Sequence, residues 1–146
     1  MNKMIRVLYA EDNWQDADLT KSFFAQSAPD ISLEIASTAM ESMKRLQMEH
    51  FDAVLMDHRL PDVDGGEVLK ELARRALNVP VVIVTGAGDE DLVVRLLRLS
   101  AVDYVPKRGS YLDELPNILR ATVRQHERLV EQGLTLWPQV RRALYV

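Results

Sequence analysis

The regular alternation of short β-rich runs with segments of helical length is the feature that most constrains the fold. Five apolar runs rich in β-branched residues each precede a segment long enough to form a helix. The predicted strands span residues 4–9, 32–36, 53–56, 80–84 and 102–105, and the predicted helices span 14–26, 38–49, 66–76, 90–99 and 112–131. Strict alternation with short connections predicts right-handed crossovers and therefore a parallel, doubly wound α/β sheet.

The local signals agree with this alternation. The first, third and fourth predicted strands are nearly continuous apolar stretches, which is typical of strands buried on both faces. Asp12 or Asn13 is placed to cap the first helix, and Asp89 is placed to cap the fourth. After Gly133 the chain carries apolar residues around Pro138, which we interpret as a short appended helix or linker.

Composition excludes several classes of function. The net charge is −4, whereas nonspecific binding to nucleic acid requires an excess of Lys and Arg. The chain has no cysteine, so disulfides and thiolate chemistry are excluded. The longest apolar run, 79–84, is too short to cross a bilayer, and no secretion signal opens the sequence. We therefore expect a soluble, cytoplasmic domain that contacts neither nucleic acid nor membrane.

Polar residues capable of phosphoryl chemistry follow four of the predicted strands. They are Glu11 and Asp12 after the first strand, Asp57 after the third, Thr85 and Gly86 after the fourth, and Lys107 after the fifth. In an open parallel sheet, ligands bind beyond the carboxyl ends of the strands. If the strands are adjacent, these residues from separate parts of the chain meet at one edge.

This set of residue types favours a particular reaction. Crowded carboxylates repel one another unless a cation joins them, and Mg²⁺ prefers carboxylate, phosphoryl and water oxygens. Asp57 is then placed to attack phosphorus and form an acyl phosphate, while Lys107 neutralises the phosphoryl oxygens. Thr85 contributes a hydroxyl donor, and Gly86 has no side chain to obstruct the approach.

Four stretches of the sequence resemble the receiver domain of bacterial response regulators, over roughly residues 3 to 125. They read VLYAEDN, AVLMDHRLPDVDG, VVIVTGAGDED and DYVPK. The resemblance implies a flavodoxin-like fold with five parallel strands in the order 2-1-3-4-5. It also implies a two-component phosphorelay, in which the chain takes a phosphoryl group from a phosphohistidine donor. The chain is then expected to be a signalling switch and not an enzyme, with self-phosphorylation from the donor and slow autodephosphorylation as its only reactions.

The resemblance also implies a role for individual residues. Glu11, Asp12, Asp57 and the backbone carbonyl of Arg59 would hold Mg²⁺, and Asp57 would accept the phosphoryl group. Thr85 and Lys107 would bind its oxygens, and Tyr104 would correspond to the aromatic residue that changes rotamer on activation. Ser100 stands where the family often has a glycine that closes the fourth helix.

The order Pro106-Lys107-Arg108 departs from the family pattern, in which proline follows the lysine. Proline fixes its own φ and restricts the residue before it, so the chain bends one step earlier. A cis peptide bond after Lys107 is therefore not expected. Arg59, two residues beyond the phosphoacceptor, is expected to affect access of the hydrolytic water.

The expected partners are a histidine kinase or histidine phosphotransfer protein and a downstream protein. The segment 92–99 is mostly apolar, so part of it is expected to form an exposed apolar patch. The family uses its fourth helix, fifth strand and fifth helix as an output surface, which favours a partner site at this patch. Alternatively, the tail after Gly133 folds back and covers it. A homodimer is left open. We expect a receiver domain over residues 1–131 with a helical extension or linker over 132–146, either as a single-domain regulator or as the N-terminal receiver of a larger sensor kinase.

Two alternatives to the switch remain at this stage. A degenerate receiver would bind partners without using the site, and the displaced proline is its support. A phosphatase of the haloacid dehalogenase type would also use an aspartate nucleophile with Mg²⁺. Those enzymes carry a second acid two residues after the nucleophile, where this chain has Arg59.

Overall fold

The computed structural model describes residues 3–63, 65–86, 91, 95 and 103–133. These form five strands and four helices, each within two residues of a predicted boundary. The elements are β1 (Ile5–Ala10), α1 (Trp14–Ser27), β2 (Ile31–Ala36), α2 (Ala39–Met48), β3 (Ala53–Asp57), α3 (Gly65–Arg74), β4 (Val81–Thr85), β5 (Asp103–Pro106) and α4 (Tyr111–Glu131). Of the helix predicted over 90–99, only Asp91 and Arg95 are described, and both have a helical backbone. The rest of that helix, its cap Asp89 and Ser100 lie outside the described residues. Helix α4 is the one predicted as fifth from the sequence.

All five strands pair in parallel, in the order β2-β1-β3-β4-β5. This confirms the predicted doubly wound, flavodoxin-like sheet. The register aligns Ala10 with Met56, Asp57 with Val84, and Thr85 with Pro106. The residues that follow these strands therefore leave the sheet at the same edge.

Alternate residues along each strand fill two separate cores. On one face, Leu8, Met56 and Ile83 pack with Leu69 and Leu72 of α3, and all five are fully buried. On the opposite face, the same three strands pack against α1 and α4. The largest buried side chains there are Tyr9 and Leu55 of the strands, Phe24 of α1, and Leu115 and Leu119 of α4. The two cores explain why the central strands are apolar throughout, since neither face meets water.

The amino-terminal ends of α1 and α2 are capped by side chains. The Asn13 side chain accepts hydrogen bonds from the N–H groups of Gln15 and Asp16, at 3.0 and 3.1 Å. It was one of the two caps proposed from the sequence. At α2, the Thr38 side chain accepts a hydrogen bond from the N–H of Glu41. Asp62 of the β3–α3 loop accepts from the N–H groups of Ala39 and Met40. Asp62 thereby ties that loop to α2.

Helix α4 is 21 residues long, in agreement with the predicted long C-terminal helix. No helix among the described residues is both long and apolar enough to span a bilayer.

The C-terminal boundary of α3 differs from the prediction. Helix α3 ends at Arg74 instead of residue 76, because Ala76 adopts a left-handed backbone with φ of +54°. The N–H of Leu77 then donates to the carbonyl of Leu72 at 3.0 Å, closing the helix as a glycine usually does. An alanine gives no sequence signal for this turn, since a left-handed alanine is strained by about 1 kcal/mol or more.

We expect Ala76→Gly to stabilise the protein by roughly 0.5–1 kcal/mol, since glycine adopts positive φ without steric cost. Equilibrium urea unfolding measures the effect. The matched control is Ala121→Gly, at an exposed position inside α4, which should lower stability by about 1 kcal/mol. A loss of stability in both variants would contradict the left-handed conformation of Ala76.

Candidate acidic cleft at the carboxyl edge of the sheet

A cleft of about 490 Å³ opens at the carboxyl ends of β1, β3 and β4. Its lining residues come from four separate parts of the chain; they are Glu11, Asp12, Asn13, Asp16, Asp57, Arg59, Gly86 and Lys107. The parallel register brings them together because each follows a strand that ends at this edge.

The Lys107 ammonium group lies among three carboxylates of the cleft. Its Nζ is 2.8 Å from Asp57 Oδ2, 2.9 Å from Glu11 Oε2 and 3.3 Å from Asp16 Oδ2. The backbone N–H of Lys107 donates to the carbonyl of Thr85 at 2.7 Å, extending the β4–β5 pairing by one residue. The Pro106-Lys107 order therefore still directs the lysine into the cleft. The described residues contain no cis peptide bond.

Glu11 is buried, with 2% of its surface exposed. Its Oε2 accepts hydrogen bonds from the Tyr9 hydroxyl at 3.1 Å and from Lys107, and its Oε1 accepts from the N–H of Asn13 at 3.0 Å. Burial, together with hydrogen bonding to Asp57, raises the pKa of Glu11 to about 7. The carboxyl group is thus poised to gain or lose a proton near neutral pH.

Asp57 has the opposite protonation behaviour. Burial alone would raise its pKa, but hydrogen bonds with Glu11, Lys107 and the N–H of Arg59 outweigh that effect and hold the pKa below its ordinary value. The Arg59 N–H donates to Asp57 Oδ1 at 2.9 Å, and Lys107 binds the other oxygen. Of the two neighbouring carboxyl groups, Glu11 retains the proton and Asp57 is the ionised one.

Lys107 remains charged in this setting. Burial would lower its pKa, yet hydrogen bonds to Asp57 and Glu11 raise the pKa above its ordinary value. A half-buried ammonium group without such partners would tend to lose its proton. The carboxylates and the lysine therefore depend on each other for their charges.

The donor set of the cleft fits a hard divalent cation. When Glu11 is ionised, four carboxylates line the cleft against two cationic side chains, Lys107 and Arg59. Oxygen ligands with this excess of negative charge suit Mg²⁺, which binds through one or two carboxylates and keeps several waters. No three acidic or histidine side chains among the described residues converge as a ready-made metal cage. Lys107 instead contacts carboxylate oxygens of the cleft that could bind a metal ion.

Thr85 and Tyr104 do not line the cleft, unlike the other proposed site residues. Thr85 ends β4 and is buried, with Gly86 and not Thr85 itself lining the cleft. Tyr104 lies in β5, is 40% exposed and does not line the cleft. Asp12 lines the cleft at its exposed surface.

Sequence reasoning missed Asp16, which lines the cleft, and Tyr9, which contacts Glu11 from the core. Asp16 lies in the first turn of α1, one helical turn beyond Asp12, where an acid is ordinarily explained by the helix dipole. Tyr9 is a core residue of β1 whose hydroxyl reaches Glu11. The spacing of Asp12 and Asp16 was a usable signal for the first; nothing in the sequence marks the second.

We expect Glu11→Gln to stabilise the metal-free protein increasingly as the pH rises from about 5 to about 8. Between about pH 4.5 and 7 the wild-type carboxyl is mostly protonated in the folded state but ionised in the unfolded state, so wild-type stability falls as the pH rises toward the folded pKa of about 7 and levels off above it. The difference in unfolding free energy between variant and wild type should grow by up to about 3 kcal/mol.

Denaturant unfolding in a chelating buffer at several pH values measures this difference. Glu114→Gln, which removes an exposed carboxyl group, is the matched control and should show no such trend. A difference for Glu11→Gln that stays constant with pH would contradict the burial and the raised pKa of Glu11.

Comparison with known proteins agrees with the geometry. The family profile described as response regulator receiver domain matches residues 7–120. The transcriptional regulatory protein MalR of Bacillus subtilis is 33% identical over 104 residues, covering 71% of this chain and 44% of MalR. The chain spans about half, or less, of the length of the curated relatives it matches.

Solved structures show the same fold. Full-length FixJ from B. japonicum superposes with a TM-score of 0.80 at 25% identity, covering 88% of this chain and 62% of FixJ. The phosphorylated cyanobacterial phytochrome response regulator RcpA superposes with a TM-score of 0.66 at 28% identity, covering 80% of this chain and 89% of RcpA. By its profile match, its parallel sheet and its strand order, this chain belongs to the response regulator receiver domain family.

Proposed function

We propose that the chain is a phosphorylation switch in a two-component phosphorelay, and that Asp57 accepts the phosphoryl group from a phosphohistidine donor. The observation that carries this proposal is the state of Asp57. Its carboxylate is ionised and held from both sides by Lys107 and the Arg59 N–H, at the mouth of an acidic cleft. RcpA, which shares the fold, was itself solved in phosphorylated form.

In the transfer, an Asp57 oxygen attacks phosphorus and the bond from phosphorus to the donor imidazole nitrogen breaks. The electron pair of that bond leaves with the imidazole. Catalysis of such a step rests mainly on positioning and charge neutralisation. Lys107 contributes to both, because its ammonium group already lies 2.8 Å from Asp57 and has three donors to redirect toward phosphoryl oxygens.

Glu11, Asp12, Asp57 and the backbone carbonyl of Arg59 would hold Mg²⁺ in this cleft. When bound, the ion would offset the charge of the carboxylates and of the incoming phosphoryl oxygens. Glu11 must give up its proton for this role, since a carboxylate ligand is deprotonated. Its pKa of about 7 allows that release near neutral pH.

The signal would leave the site through Thr85, Lys107 and Tyr104 toward the output face that the family resemblance implies. Strand β5 and helix α4 of that face are described, whereas the helix predicted over 90–99 lies mostly outside the described residues. Thr85 lies at the end of β4 beside Lys107, and the exposed Tyr104 side chain is on the neighbouring strand β5. The partners are a histidine kinase or histidine phosphotransfer protein upstream and a protein on this face downstream. We assign the receiver to residues 1–131 and an extension or linker to 132–146, with a cytoplasmic location.

The phosphatase alternative lacks its second catalytic group. An aspartate-nucleophile phosphatase needs an acid two residues after the nucleophile, and Arg59 occupies that position here. A guanidinium does not exchange protons in the physiological range, so it cannot act as a general acid or base. Asp57 also ends the third strand of the sheet, not the first.

Incubation with acetyl phosphate or phosphoramidate and Mg²⁺, followed by intact-mass analysis, tests the proposed function. We expect the mass of one phosphoryl group to be added to the wild type and not to Asp57→Asn, and the addition to be lost in excess chelator. Asp52→Asn serves as a control, because Asp52 lies at the opposite end of β3.

Absence of any gain in mass from either donor, and from a phosphorylated histidine phosphotransfer protein, would favour the degenerate receiver. Continuous release of phosphate from assorted monoesters would favour the phosphatase.

We expect Arg59→Ala to shorten the lifetime of the acyl phosphate roughly two- to tenfold, which corresponds to about 0.4–1.4 kcal/mol in barrier height. The Arg59 side chain lines the cleft beside Asp57, so its removal admits the hydrolytic water. Decay of the phosphorylated mass over time measures the lifetime. Arg108→Ala, a nearby exposed arginine outside the cleft, should decay like the wild type. Equal lifetimes for Arg59→Ala and the wild type would dismiss this role.

A further inference from the structure

A second cleft, of about 500 Å³, lies at the amino-terminal edge of the sheet, opposite to Asp57. It separates the last turns of α4 from the loops that precede β3 and β4. Its apolar wall is built by side chains from α2, both loops and α4; they are Leu46, Phe51, Leu77, Val79, Val123 and Val130. Val130 is 49% exposed, so this wall is incompletely covered among the described residues.

The rim of this second cleft carries an excess of negative charge. Glu127 and Glu131 lie one turn apart on the face of α4 that borders the cleft, and both are exposed. Neither forms an ion pair with a described residue, whereas Glu49 on the opposite side is paired with Arg6 and Arg45. The cleft therefore suits a ligand that combines apolar side chains with positive charge.

The described part of the chain ends beside this cleft. Val130 and Glu131, which end α4, both line it. The N–H of Gln132 donates to the carbonyls of Arg128 and Leu129, and Gly133 follows with φ of +72°, so the backbone turns away from the helix axis at that point. Residues 134–146 continue from there and lie outside the described residues.

The sequence of residues 134–146 matches the cleft in chemistry. It contains no acidic residue and two adjacent arginines, Arg141 and Arg142. Its apolar residues include Leu136, Trp137 and Leu144. Thirteen residues reach roughly 40 Å when extended, so their length does not restrict them to one part of the cleft.

We propose that the cleft at the amino-terminal edge of the sheet is the docking site for residues 134–146 of the same chain. The apolar side chains of the segment cover the wall, and Arg141 and Arg142 pair with Glu127 and Glu131. The segment thereby caps the end of the domain opposite to the phosphoacceptor. This inference does not depend on phosphoryl transfer and stands or falls separately from it.

Fluorescence of Trp137 in the full-length chain tests the docking. The chain has two tryptophans, and Trp14→Phe leaves Trp137 as the only one. We expect a blue-shifted emission maximum and weak quenching by acrylamide, both independent of protein concentration. Emission and quenching equal to those of the free peptide 134–146 would overturn the proposal. Protection that appears only at high protein concentration would overturn it in favour of a second copy of the chain.

Charge reversal locates the segment. In the Trp14→Phe background, Glu127→Lys/Glu131→Lys and Arg141→Glu/Arg142→Glu should each raise acrylamide quenching at least threefold, and the combined variant should recover more than half of the protection. Asp18→Lys/Glu114→Lys, with the same change in net charge at exposed positions away from the cleft, should have no effect. Failure of the combined variant to recover any protection would overturn the pairing of these residues.

Discussion

The structure depends on the contact of one ammonium group with carboxylates from three separate elements. A parallel sheet sends the carboxyl ends of β1 and β3 to one edge, and acidic residues at those ends are forced together. Lys107 reaches this edge from the neighbouring β5, where its backbone is fixed by a hydrogen bond to Thr85. Its contacts with Asp57 and Glu11 place a positive charge between two acidic groups that would repel each other once both are ionised.

The same contact sets two neighbouring carboxyl groups to different chemical states. Glu11 is deeply buried and holds its proton up to about neutral pH, whereas Asp57 has three hydrogen-bonding partners that favour its charge. Two acids whose surroundings separate their pKa values in this way usually divide their roles. Asp57 suits a nucleophile that must be ionised, and Glu11 suits a ligand that becomes charged when a cation arrives.

The central strands β1, β3 and β4 were predicted well because they are buried on both faces, and such burial leaves a continuous apolar run in the sequence. The convergence of Glu11, Asp57 and Lys107 followed from the parallel sheet together with the strand order that the family resemblance implies. Contacts made by side chains across elements could not be predicted in the same way. The bonds of Asp16 to Lys107 and of Tyr9 to Glu11 depend on helix rotation and rotamer, and the early end of α3 depends on an alanine adopting a conformation that its type disfavours.

Calorimetric titration of Mg²⁺ into the wild type, Lys107→Ala and Glu11→Gln, at a pH of about 8, tests the central claim most directly. If the ammonium group of Lys107 competes with a divalent ion for the carboxylates of the cleft, the wild type binds one ion, Lys107→Ala binds it more tightly and Glu11→Gln binds it more weakly. Absence of saturable binding to the wild type, or weaker binding to Lys107→Ala, would contradict the claim.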